Sequence, residues 1–338
     1  TGVQTCALPI WGLSGNAAID AYQTLATVKA IVPNSTFKAP MTMANPDLTW
    51  EKTSAFDIGL DFSFLGGRIN GGIDYYWSKT YDLLYYLTAP SSSVYTSTMS
   101  NVGETKGHGF EMSLNAVPVR TQDFQWDANF SLTMARDEVT KLRDGVTKVI
   151  DGNTILKVGE PVLAYYQYEI QNCWGIGEFD QYVAENYTNQ GKEFTKPFSD
   201  YGDPGTQRVV DQNGDGVIND DDKIVFNRSP KAILGLTNTV SWKGLSLSFQ
   251  MMARLGGYMN YEGYSKYTYD NSNWGDLDYW TPTNTATIIP SPGASSAAAA
   301  TYQSAVQMVK ADYFKIKDIT LAYNFDKALL RHASLNSA

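Results

Sequence analysis

The 338-residue chain carries a formal net charge of -9, which argues against nucleic acid as a partner, since phosphate binding needs a basic face. Aromatics make up 13% and charged residues only 18%, with 22 Tyr and 8 Trp, whereas a soluble enzyme of this size carries more Lys and Glu. Mean hydropathy is -0.29, and no apolar run reaches the roughly 18 residues that a membrane helix needs, which excludes helical spans but not a membrane barrel.

The first strand is expected over residues 54–64. Phe56, Ile58, Leu60, Phe62 and Phe64 fall on one face, and Asp57, Gly59, Asp61 and Ser63 on the other, which is strict period two. Gly66-Gly67 makes a tight turn into a second strand with Ile69, Gly71, Ile73, Tyr75 and Trp77 on one face, so the two read as an antiparallel hairpin. Phe110, Met112, Leu114 and Ala116 open a second hairpin; a turn is expected over residues 118–123. Phe124, Trp126, Ala128, Phe130, Leu132 and Met134 then form the returning strand. A third hairpin pairs Leu234, Leu236, Val240 and Trp242 with Leu245, Leu247, Phe249, Met251 and Ala253 across Lys243-Gly244. Ile319, Leu321, Tyr323 and Phe325 mark a last strand.

These strands run to ten or more residues, longer than those of a soluble sandwich. Tight turns alternate with excursions of about 30 and about 100 residues, the plan of an outer-membrane barrel. Tyr75, Tyr76, Trp77, Tyr85, Tyr86, Trp126 and Trp242 stand where girdle aromatics belong; the alternative is ordinary cross-strand packing. Residues 291–300, rich in Ser and Ala, read as a flexible or weakly helical loop. The fold class is therefore all-β: an antiparallel transmembrane barrel, present as an incomplete fragment with long extracellular loops.

The sharpest local motif spans residues 211–222. Asp211, Asn213 and Asp215 occupy calcium-loop positions 1, 3 and 5, and Gly216 sits at the sharp turn. Val217 offers its carbonyl, Asn219 stands at position 9, and Asp222 takes the place of the usual Glu. Calcium is the cofactor this spacing implies; the alternative is an Asp/Asn/Gly turn without an ion. Catalysis lacks a constellation. The two histidines are His108, between glycines, and His332, without a nucleophile partner. A glycosidase carboxylate pair among 35 acidic residues is not excluded by spacing. Cys6 and Cys173 make no disulfide framework, although a bond between them stays open.

Several segments resemble, in order, the barrel of SusC/RagA-type TonB-linked outer-membrane proteins. They are Trp11-Gly12-Leu13-Ser14-Gly15-Asn16, Asn45-Pro46-Asp47-Leu48-Thr49-Trp50-Glu51, Arg68-Ile69-Asn70-Gly71 with Thr80-Tyr81-Asp82-Leu83-Leu84, and Asn101-Val102-Gly103-Glu104 with Lys106-Gly107-His108-Gly109-Phe110-Glu111. Val158-Gly159-Glu160-Pro161, the 211–222 loop and Lys315-Ile316-Lys317-Asp318-Ile319-Thr320-Leu321 follow. The resemblance implies a non-enzymatic transporter in the outer membrane of Bacteroidetes-type bacteria, a large barrel closed around an N-terminal plug. It implies import of oligosaccharides or peptides, a SusD-like lipoprotein lid, and coupling to the TonB complex through a region upstream. Loop aromatics Trp174, Tyr258, Trp274 and Trp280 are the candidate substrate contacts, with loop packing as the alternative. The runner-up function is a secreted β-rich glycan-binding or adhesion module with a calcium loop.

Residues 1–10 fit the family pattern poorly and resemble translated adapter sequence, so the partial barrel is expected over residues 11–338, truncated at both ends. Resequencing the locus checks this: different residues before Trp11 are expected, and the same ten in the genome reject it.

Overall fold

A long stretch of alternating apolar and polar residues puts two chemistries on the two sides of an extended strand. The computed structural model describes residues 4–16, 24–30, 38–89, 92–143, 145–263, 277–292, 302 and 304–325. Eight long strands form its main sheet: β1 (Gln4–Asn16), β2 (Glu51–Phe64), β3 (Ile69–Tyr81), β4 (Gly103–Arg120), β5 (Phe124–Leu142), β6 (Ala232–Trp242), β7 (Leu245–Leu255) and β8 (Tyr313–Tyr323). Each pairs antiparallel with the next in chain order, an up-and-down meander that does not close on itself.

The register carries the alternation across the whole wall. Leu60, Ile73, Met112, Leu132 and Leu234 make one apolar row. Ser63, Asn70, Asn115, Asn129, Thr237, Gln250 and Asp318 make a polar row on the opposite face. Ile58, Leu60, Trp77, Leu247, Ile319 and Leu321 are 41% to 68% exposed, so the apolar face has no protein packed over it. Hydrocarbon is the medium that fits such a band. The polar face is then the inner, lumenal one. On β1 the alternation begins at Trp11. Further back, Leu8 and Ile10 lie on the inner face opposite Gly59 and Asp57.

Three short turns close one end of the sheet. Leu65, Gly66 and Gly67 have positive φ, as do Lys243 and Gly244, and the Lys243-Gly244 pair suits the right-handed twist of a two-residue hairpin. The second hairpin corrects the expected turn at residues 118–123: β4 continues to Arg120 through a bulge between Ala116 and Val119. Pro118, which has no N–H to give, is tolerated at a bulge. Arg68 supports it, donating from Nη2 to the carbonyls of Val117 at 2.9 Å and Pro118 at 2.7 Å. A second bulge near Lys317 keeps Phe314 and Ile316 on the same outer face as Ile319 and Leu321.

The other end carries the long excursions. Thr27–Ala30, Lys38–Thr42, Ser97–Asn101 and Leu84–Thr88 form a four-stranded loop sheet. Residues 143–231 hold a second one (Lys148–Asp151, Thr154–Lys157, Ala164–Tyr168, Lys223–Asn227), the pair Ile170–Cys173 with Gln207–Val209, and helix α1 (Glu178–Asn186). Three expected girdle residues are corrected. Tyr85 and Tyr86 belong to the loop sheet, and Tyr76 faces inward, opposite Gly109. Residues 293–300 of the Ser/Ala-rich stretch lie outside the described residues.

Phe130 and Asn129 are neighbours on opposite faces of β5. In bilayer refolding, Phe130→Lys should cost about 2–4 kcal/mol and Asn129→Lys about 1 kcal/mol or less. Equal costs would remove the assignment of faces.

Candidate functional site

The inner wall is acidic. Asp57, Asp61, Asp74 and Glu111 project from β2, β3 and β4 on the polar face, and none has a Lys or Arg nitrogen within 4.0 Å among the described residues. Three of them converge on two glycines. A Cβ on Gly59 would collide with the Asp74 carboxylate, and one on Gly72 would lie 3.0 Å from Asp61 Oδ1. Nearer the loops, the Tyr76 ring fills the space that a side chain at Gly109 would need. Beside it a cavity of about 370 Å³ is lined by Tyr76, Gly107, Thr133, Ala135, Leu163 and Pro230. The inner wall is thus acidic, with an apolar recess beside Tyr76.

Above the wall, an aromatic body holds the largest excursion together. Trp174, Phe179, Tyr201, Val209, Ile218 and Tyr302 form its buried core. Trp174 meets Phe179 edge-on at 5.1 Å and Tyr201 at 6.0 Å, geometries aromatic pairs prefer. Arg208 lies 4.8 Å from the Trp174 ring and 4.4 Å from Tyr182, and donates to Glu178 Oε1 at 2.7 Å. Two glycines with positive φ admit the rings: a side chain at Gly202 would collide with Phe179, and one at Gly205 would press Trp280 at 2.9 Å. Burial pushes the Tyr201 hydroxyl upward from its ordinary range and the Cys173 thiol up to about 12.

The four candidate substrate aromatics are therefore not a set. Trp174 is 0% and Trp280 6% exposed, so neither ring can stack on a ligand as folded; the packing alternative accounts for both. Tyr258 is half-buried, with its ring edge-on to Phe226 at 5.0 Å. Trp274 lies outside the described residues. Arg208 and Gly202 were not signalled by the sequence, because their partners lie 23 to 34 residues away by number (Phe179 to Gly202, Trp174 to Arg208).

The 211–222 loop is brought together, but largely by its own backbone. Asp211 accepts from the N–H groups of Gly214 at 2.6 Å and Gly216 at 2.8 Å, and from the Tyr187 hydroxyl at 2.8 Å. Asn213 accepts from Asp215 N, Asp215 from Val217 N, and Asn219 from Asp221 N. Asp222, fully buried, accepts from Gln212 N and Asn219 N. Desolvation works against the Asp211 charge, but the Gly216 N–H, the Tyr187 hydroxyl and the Gly214 N–H outweigh it and hold the carboxyl below its ordinary range. Desolvation wins at Asp222, whose carboxyl is raised despite the Asn219 and Gln212 N–H groups. No group of three or more His, Cys, Asp or Glu among the described residues is arranged to hold a metal ion. As folded, the loop is a self-satisfied turn.

Two outcomes follow from this packing. Trp174→Ala should cost about 3–5 kcal/mol, the range for emptying a large aromatic site, and speed protease cleavage within residues 143–231. Cleavage unchanged from the parent would show that Trp174 does not hold the loop body. A thiol-alkylating reagent should modify exposed Cys6 but leave buried Cys173 unmodified until unfolding. Labelling of Cys173 in the folded protein would contradict its burial.

The comparisons with known proteins agree with this architecture. Residues 14–336 match the family model of the TonB dependent receptor-like β-barrel. TonB-dependent receptor P26 of Formosa agariphila is 30% identical over 93% of this chain and 32% of its own length. TonB-dependent receptor SusC of Bacteroides thetaiotaomicron is 31% identical over 83% of this chain and 27% of its own. Among solved structures, the RagAB peptide transporter superposes with a TM-score of 0.67 at 24% identity, covering 96% of this chain and 34% of that one, which speaks to the fold. The chain thus spans about a third or less of the length of these relatives. A one-sided apolar meander with short turns, long loops and a matching family model leads to one assignment: the chain belongs to the TonB-dependent receptor β-barrel family.

Proposed function

We propose that this chain supplies wall and extracellular loops to an outer-membrane transporter that imports oligosaccharides or peptides. In this reading a SusD-like lipoprotein seats on the loop end as a lid, and the TonB complex drives uptake through a part of the protein beyond these residues. The supporting observation is the wall itself, with lipid-type residues on one face and a polar face with unpaired carboxylates on the other, carried in register across the strands. Likeness to SusC and to the RagAB peptide transporter supports the partner and cargo classes. The protein is read as a transporter, not an enzyme. The exposed apolar band counts against a secreted glycan-binding or adhesion module, which would have to carry that band in water.

The test is made on the full-length protein. It should fractionate with outer membranes, need detergent for extraction, and co-purify with a lipoprotein from a neighbouring gene. Deleting residues 143–231 should abolish growth on the cargo while the barrel still inserts. A monodisperse protein purified without detergent would reject the transporter and favour the secreted module.

Calcium at the 211–222 loop belongs to the same proposal. Asp211, Asn213, Asp215, Asn219, Asp222 and the Val217 carbonyl offer the hard oxygen donors that calcium takes, once Asn213 and Asp215 release the N–H groups they now accept from. Added calcium should slow protease cleavage of this loop in the parent and not in Asp211→Asn. Equal cleavage with and without calcium rejects the ion.

A further inference from the structure

The outer face of the wall changes chemistry at one level. Across five strands the register aligns Trp11, Phe56, Trp77, His108 and Arg136 in a single row. Phe56 and Trp77 stack at 4.3 Å, and Trp11 donates to Ser54 Oγ at 3.2 Å. Aromatic rows of this kind sit where hydrocarbon meets headgroups. One step nearer the loops, the same face presents Ser54, Lys79, Lys106 and Glu138 in register. The two lysines are therefore at headgroup height on the long-loop side, the extracellular side in barrels of this plan.

One cross-strand pair at this level brings like charge together. Lys79 stands directly opposite Lys106, and His108 directly opposite Arg136. Like charges in that position destabilise a sheet, so their placement needs compensation. Part of it is present: Lys79 meets Glu104 at 2.8 Å and Lys106 meets Glu138 at 3.0 Å. Arg136 Nη1 is spent on carbonyls, those of Ala135 at 2.6 Å and Lys231 at 3.0 Å, which leaves its charge without a carboxylate within 4.0 Å among the described residues. The Lys79 and Lys106 side chains keep 44% and 53% of their surface exposed, and the apolar stems of such residues lie on aromatic surface while the ammonium reaches the interface. In a chain of net charge -9, three cations and a histidine next to an aromatic row are a local feature that overall composition does not explain.

We propose that Lys79, Lys106, His108 and Arg136 form a docking patch for the phosphate of a lipid headgroup in the outer-facing leaflet. A phosphate supplies the counter-charge that Arg136 lacks and competes with Glu104 and Glu138 for the two exposed lysines, and it arrives at this height on a lipid whose chains cover the apolar rows beneath. The proposal rests on the orientation of the barrel and is independent of cargo, lid and energy source.

The experiment compares full-length transporter in phosphatidylcholine nanodiscs alone, with added lipid A, and with lipid A stripped of its phosphates. Phosphorylated lipid A should raise the thermal midpoint of the parent, and the dephosphorylated form should not. The double variant Lys79→Gln/Lys106→Gln should keep its midpoint in phosphatidylcholine but bind phosphorylated lipid A about thirtyfold more weakly, the loss expected for two lysines at an anionic headgroup layer. If the double variant fails to insert, Lys106→Gln alone gives the same comparison at about fivefold. Equal binding by parent and variant overturns the proposal, as does an equal shift from dephosphorylated lipid or from inorganic phosphate alone.

Discussion

Every N–H and C=O in hydrocarbon must find a partner within the protein, because water is absent and each orphan costs several kcal/mol. The eight-stranded ladder follows from that constraint, and the smaller features serve it. The bulge at Val117-Pro118 leaves two carbonyls with displaced strand partners; Arg68 reaches across from the preceding turn and donates to both. Val117 N in turn donates to the Arg68 carbonyl at 2.7 Å. The same constraint acts at the outer edges of β1 and β8, which are the sheet's two ends. In a bilayer those edges must pair with further strands, which agrees with a chain spanning about a third of its relatives.

At the rim the rule relaxes, because water and loop side chains can satisfy the backbone. Here the sequence signatures meet. Asn101 accepts from Thr49 N at 2.9 Å and donates to the carbonyls of Thr49 at 2.9 Å and Asp82 at 2.7 Å. Glu51 accepts from Leu84 N at 3.1 Å. Gly103 has no side chain because the Lys141 carbonyl occupies the space. Three motifs separated by up to 52 positions thus form one joint, where the wall stops and the loop sheet begins. The Val158-Gly159-Glu160 segment ties down the next strand similarly, through Gly159 N to the Val139 carbonyl and Val139 N to the Glu160 carbonyl, both 2.9 Å. Val102, Val139, Leu142 and Leu156 pack as a small dry core beneath these joints. These rim motifs therefore fasten loops to wall.

That division explains what could be read from residues alone. The wall was legible because each strand declares its own faces: Phe56 to Phe64 needs no partner to show its period. Where one inserted residue shifts the phase, as at Lys317, the alternation looks broken, and only the facing strand shows that Phe314 and Ile316 rejoin the outer face. Tyr76 was misplaced for a related reason. It is one of three consecutive aromatics, and adjacent residues on a strand must point to opposite faces. The loop body was not legible. Trp174, a candidate ligand contact by type and position, is buried by Phe179, Tyr201 and Arg208, and no local pattern announces contacts made across that distance. The 211–222 spacing reads as a calcium loop or as an Asp/Asn/Gly turn without an ion, because the same Asx geometry serves an ion or its own N–H groups equally well.

The wall also sorts charge. Carboxylates without cationic partners, such as Asp61, Asp74 and Glu111, face the lumen, where water can solvate them. Outward-facing Lys79 and Lys106 lie beyond the aromatic row and are paired with Glu104 and Glu138. Unpaired charge within the hydrocarbon level would be expensive, and polar groups there need a partner inside the protein. Asn238 tests that logic, since it interrupts the outer row between Ala128 and Phe249. It is 8% exposed and accepts from Trp126 Nε1 at 3.0 Å. Neither polar group could stand easily in lipid alone: the indole N–H lacks an acceptor in hydrocarbon, and the amide oxygen lacks a donor. Joined, they satisfy each other and fix the Trp126 ring near the short-turn end of the barrel, where an amphipathic side chain belongs. The exception thus obeys the constraint that built the wall, with two side chains completing a hydrogen bond where neither water nor backbone is available.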